Sequence, residues 1–157
     1  MLATGLLIVL AATFGTAQQS HAGDVWQPTA TQLQMTLARA ESVAGESVAQ
    51  GAVKGSTTWP SSVTGAQAVA TTRQLALDAM GTPQAVSDDN RHVILYQVDG
   101  AFAPAGVFGP SNKARASIKG GHLQIAIDAD TGDVTDFGVV DYSMSLSDYG
   151  PIIKVFP

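Results

Sequence analysis

The chain has no cysteine. That excludes disulfides, thiolate metal centres and a lipid-modified cysteine anchor, so packing alone must hold the fold. Basic residues are scarce too: eight Lys and Arg stand against thirteen Asp and Glu, a net charge of -5. An acidic balance of this size favours solubility and argues against a nucleic-acid partner. Only three histidines are present, and aromatics make up 6% of the residues. Nucleophile elbow, zinc-protease helix motif, Walker loop and dinucleotide fingerprint are all missing, and no cofactor is expected. The one marked apolar run, Leu6 to Phe14, is too short to span a bilayer comfortably as a helix.

That run is followed by small residues at Gly15-Thr16-Ala17 and again at Ser20-His21-Ala22. The order is that of a secretory signal peptide, with cleavage after Ala22 favoured over Ala17. Met1 to Gly5 lacks Lys and Arg, so positive charge comes only from the amino terminus, and a retained signal would act as a membrane anchor. The expected organisation is a signal peptide over 1–22, a flexible leader over 23–62 and a folded domain over 63–157. The expected location is outside the cell or in its envelope.

Within the leader, Leu33, Leu37, Ala40 and Ala44 recur at three- and four-residue intervals, predicting a short helix from Thr31 to Ala44 before Gly45, Gly51 and Gly55 interrupt it. Trp26 and Trp59 flank this segment and are expected to patch the domain surface. Val69, Arg73, Ala76, Leu77 and Met80 share one side of a helix from about Gly65 to Met80, ended by Gly81-Thr82-Pro83. Arg73 is expected to lay its aliphatic stem along the core with the guanidinium free at the rim.

Strand patterns follow. Arg91 to Asp99 is apolar on both faces, as a central strand is. Leu123, Ile125 and Ile127 alternate with His122, Gln124 and Ala126. The turn Asp128-Ala129-Asp130-Thr131-Gly132-Asp133 then leads into Val134 to Val140, predicting a hairpin. Pro151 to Phe156 is expected to add an edge strand. The fold class is α+β, with one main helix packed on an antiparallel sheet of three or four strands.

Gly100 to Gly121 is long, rich in Gly and Pro, and holds three of the eight basic residues within seven positions. Long loops of this kind often carry function, so Phe102, Phe108, Lys113, Arg115 and Lys119 are the candidate binding residues. His92 and His122 sit near strand starts and are expected to approach each other across a ladder, where a carboxylate would complete a metal or hydrolase site. Asp128, Asp130 and Asp133 resemble the opening of a calcium loop. The glycine comes one position early and no bidentate Glu closes it, so turn chemistry accounts for them without a metal.

The segment from Leu123 through Asp128-Ala-Asp-Thr-Gly-Asp to Val134, preceded by a helix and another strand, resembles the repeat of PepSY-type domains over about residues 64–140. It is also similar to small exported actinobacterial proteins. The PepSY resemblance implies a helix on a small antiparallel sheet and a non-catalytic module that in some members inhibits or chaperones peptidases. The Gly100–Gly121 insertion departs from the compact repeat. Taken together, these features predict a secreted binding or inhibitory module with a protein or peptide partner outside the cell, using the sheet edge and the long loop. Two alternatives stand beside it: a secreted hydrolase or metal-dependent enzyme using His92, His122 and the aspartates, and a passive envelope protein.

Overall fold

The computed structural model describes residues 26–48, 59–82, 89–102 and 120–155. Two helices flank a five-stranded antiparallel sheet: α1 (Ala30–Ser47), β1 (Val63–Thr72), α2 (Arg73–Ala79), β2 (His92–Phe102), β3 (Gly120–Asp128), β4 (Val134–Val140) and β5 (Ile152–Lys154). Strand order is β4-β3-β2-β1-β5, so β2 is central and the α+β class is as expected, with one strand more. The signal-peptide segment, residues 1–22, lies outside the described residues.

The additional strand is β1, where the sequence pattern predicted the first half of a helix. Its core is Gly65-Ala-Gln-Ala-Val-Ala70, and alanine suits either period, so Val69 and Arg73 match a helical spacing by coincidence. Two ladders decide the outcome: Gly65–Thr72 pairs with Asp99–His92 of β2, and Gln67–Val69 with Lys154–Ile152 of β5. Helix begins only at Arg73, where the Thr72 hydroxyl caps it by accepting from Leu75 N.

The helix foreseen in the leader is longer, and it belongs to the core. Thr29 opens α1 with a capping box: its hydroxyl accepts from Gln32 N while Gln32 Oε1 accepts from Thr29 N. The helix continues through Gly45 to Ser47. Ala40, Val43 and Ala44 pack in one cluster with Ala66 and Ala68 of β1, Ile94, Tyr96 and Val98 of β2, and Leu123, Ile125 and Ile127 of β3. The small residues Ala40 and Ala44 let α1 lie close over β2 and β3, and buried apolar area supplies the main stabilisation of this layer. Trp26 and Trp59 pack at its margin, as expected. Inside it, the Tyr96 hydroxyl lies 2.9 Å from Thr36 Oγ1, both residues fully buried. Burial is the main reason the Tyr96 phenol is pushed up to about 12.

The opposite sheet face carries a second cluster: Val69, Val93, Leu95 and Ala126 under Ala76 of α2 and its C-cap Met80, with Met144 and Leu146. Residues 141–151 link β4 at one edge to β5 at the other, with a single 3-10 turn at Leu146–Asp148. Gln97 grips this crossover with both ends of its amide, donating to Ser143 Oγ at 2.8 Å and accepting from Met144 N.

The β3–β4 hairpin forms as predicted. Asp128 Oδ1 accepts from Asp130 N at 2.9 Å and Thr131 N at 3.0 Å, and Gly132 takes φ of 76°. Asp130 in turn accepts from Gln32 Nε2 at 2.9 Å, tying the turn to the start of α1.

Candidate functional site

The two sheet edges differ. At one, β5 has only three residues, is preceded by Pro151 and contains Lys154. Shortness, proline and lysine are the usual means of keeping an edge from pairing with another chain. At the other, β4 runs for seven residues without proline or lysine. Strands alternate their side chains, and the register with β3 puts Phe137 and Val139 opposite Ile125 and Leu123, on the α1 face, where they pack against the larger cluster. Asp136, Gly138 and Val140 lie on the α2 face, opposite Ala126, Gln124 and His122. A Cβ placed on Gly138 would meet nothing within 4 Å, so that face is open beside it.

The charge on β4 is Asp136, and it is neutralised within the fold. Arg73 grips it through Nε at 2.8 Å and NH2 at 3.1 Å, and reaches Asp89 through NH1 at 2.9 Å. The guanidinium expected to be free at the rim is thus clamped between two carboxylates, because the Arg73 side chain reaches from the start of α2 to Asp136 on β4 and to Asp89. Its hydrogen bonds hold Asp89 down at about 2, with Arg91 adding to the effect. The same contacts, Asp136 foremost, push Arg73 further up. Five hydrogen bonds from two arginines to two carboxylates fix α2, β4 and the entry to β2 in one arrangement.

Where β4 ends, a second polar group begins. Val140 stands opposite His122, and His122 opposite Asp99. His122 Nδ1 lies 2.8 Å from Asp99 Oδ1, with the side chains 23% and 41% exposed. Gly65 is the β1 neighbour of Asp99, and its missing side chain leaves room for that carboxylate: a Cβ would approach Oδ2 to 3.1 Å. Phe102 and Gly120, at the ends of the long loop, follow on the same two strands. Edge, His–Asp pair and loop ends therefore share one corner of the sheet.

The sequence-predicted residues fare unequally. Phe102 is buried in the α1-side cluster, where it packs rather than faces a partner. Phe108, Lys113, Arg115 and Lys119 lie outside the described residues. His92 and His122 are not neighbours: His92 pairs with Thr72 at one end of β2 and stacks on Trp26, ring centroids 4.4 Å apart, while His122 meets Asp99 at the other end. Long antiparallel strands carry the two histidines apart. Asp128 and Asp130 are committed to turn and inter-element hydrogen bonds, and Asp133 lies in the same turn. Among the described residues, no three His, Asp or Glu side chains group to hold a metal ion, and no helix is long and apolar enough to cross a membrane. The Asp99–His122 pair and the Arg73 clamp were missed by sequence reasoning. Only the hairpin register, which puts Asp136 opposite Ala126, offered a hint of the latter.

No family model, curated protein or solved structure matches the chain.

Away from this corner, an apolar groove of about 190 Å3 lies between the start of α1 and the β5 edge, lined by Trp26, Pro28, Leu33, Ala70, Pro151 and Ile153.

Proposed function

We propose that the protein is a non-enzymatic, secreted binding module that takes an extended polypeptide segment along β4. The observation that carries this reading is the contrast between the sheet's edges: β5 is short, preceded by proline and ended by lysine, whereas β4 offers seven residues without either. An added strand pairs with the outward-pointing N–H and C=O groups of such an edge, which supplies affinity, while flanking side chains supply selectivity. Apolar Phe137 and Val139 on one face and the open position at Gly138 on the other would grade the incoming side chains. In the sequence, Lys113, Arg115 and Lys119 fall between β2 and β3, and their charge suits an acidic partner. The PepSY-like hairpin, Leu123 to Val134, is in keeping with a non-catalytic envelope or extracellular role.

A panel of extended peptides screened by amide NMR tests this. Binders should shift residues 134–140 and slow hydrogen exchange of the outward amides of β4. Binders that perturb only the Trp26–Ile153 groove, or none that touch β4, would reject it. Hydrolytic chemistry at Asp99–His122 is the competing reading, favoured by the 2.8 Å contact to His122 Nδ1. Turnover of ester or peptide substrates that His122→Ala abolishes would establish it instead.

A further inference from the structure

We infer that the strand received by β4 is β4 of a second copy, the two related by a twofold axis at Phe137; this deepens the strand-addition reading of the same edge. Antiparallel pairing about that axis sets residue pairs that can be read from the strand. Phe137 meets Phe137 of the second copy, and each Asp136 meets Gly138. A twofold contact places the same patch on both partners, so each favourable pair occurs twice.

Three features make the edge self-complementary. First, like charges are not opposed, because each Asp136 faces a glycine. Second, that glycine stands where a Cβ has nothing within 4 Å, which leaves space for the Arg73–Asp136 clamp of the second copy on the same sheet face. Third, the central residue is aromatic and lies on the α1 face, so the two Phe137 rings adjoin across the axis and extend both α1-side clusters. The strand's irregularity leaves the central pairs, Phe137–Phe137 and Asp136–Gly138, untouched. Its register shift, between Asp136 and Val134, falls at the start of β4 and leaves Asp136–Val140 in regular pairing with β3.

Both sheets would join into one of ten strands with α1 and its copy on the same side. Edge pairing of this length covers less surface than the roughly 1,200 Å² of stable complexes, so the dimer is reversible and concentration-dependent.

Sedimentation velocity of the purified protein over a wide concentration range tests the inference, using two substitutions at the open position. Gly138→Asp sets aspartates opposite each other twice per dimer and should weaken association about tenfold. Gly138→Lys sets a cation opposite Asp136 and should preserve or tighten it. Both fit the monomer, since Gly138 has open space and does not need a positive φ, and circular dichroism melts confirm that they fold. A wild type that stays monomeric at every concentration overturns the inference, as does a dimer affected alike by both substitutions. A monomer whose β4 amides are still protected by a peptide leaves the strand-addition reading standing, whereas failure of both measurements removes both.

Discussion

Thr36 and Tyr96 make a buried hydrogen bond whose two ends should respond unequally to deletion. Thr36 Oγ1 lies 2.8 Å from the Gln32 carbonyl one turn back, and its single proton goes there. The Tyr96 hydroxyl is therefore the donor in the 2.9 Å contact to Thr36. Tyr96→Phe removes that donor while Thr36 keeps its helix carbonyl, so the cost should be near one ordinary hydrogen bond, about 1 kcal/mol. Thr36→Val keeps the shape but leaves a phenol hydroxyl fully buried without an acceptor, at about 1–3 kcal/mol. The double variant removes both polar groups, so it should cost clearly less than the sum. Urea unfolding at constant m measures all three, and each kcal/mol should move the melting temperature by roughly 2–4 °C in a chain of this length. Additive costs, or a Thr36→Val no worse than Tyr96→Phe, would refute both the donor assignment and the docking of α1 as part of the core.

Other expectations concern pH, turns and the crossover. Asp89 is held at about 2 against an ordinary 3.8, so its contribution is present above pH 3.8 and disappears as pH falls towards 2; Asp89→Asn should flatten urea midpoints over that window. Tyr96 runs the other way: its raised pKa makes stability fall as pH rises from about 10 to about 12, a slope that Tyr96→Phe should reduce. Gly132→Ala should cost about 1–2 kcal/mol by thermal melting, since φ of 76° penalises a Cβ, although the Met35 side chain 3.1 Å away can shift. Gln97→Leu should cost about 1–3 kcal/mol and accelerate hydrogen exchange at Met144 N, which loses its buried acceptor.

What was legible in the chain follows how local each cause is. The β3–β4 hairpin could be read because Asp128, Thr131 and Gly132 specify their turn with neighbouring atoms. The central strand could be read because Val93 to Tyr96 has no polar face. By contrast, β1 was mistaken for helix because alanine satisfies either period, and only pairing with β2 and β5 settles it. The weak apolar stripe of α1 hid a core helix because Ala40 and Ala44 are small residues set against large ones on β2 and β3. Asp99–His122 was unreadable because a long loop separates the partners, and register, not spacing, brings them together. The Arg73 clamp was lost together with the start of α2.

The crossover gripped by Gln97 also has a bearing on how the sheet is completed. β1 gains its outer neighbour only when β5 arrives from a distant part of the chain, after 141–151 has been laid across the α2 face. Until then both edges of the sheet are open. Pairing between such distant segments is slow because the intervening chain must be ordered first. Gln97 and Leu146 thus act as guides for closure, and weakening them would lengthen the life of a species with two unguarded edges. Its hazard is aggregation during refolding, even where the finished protein is only modestly less stable.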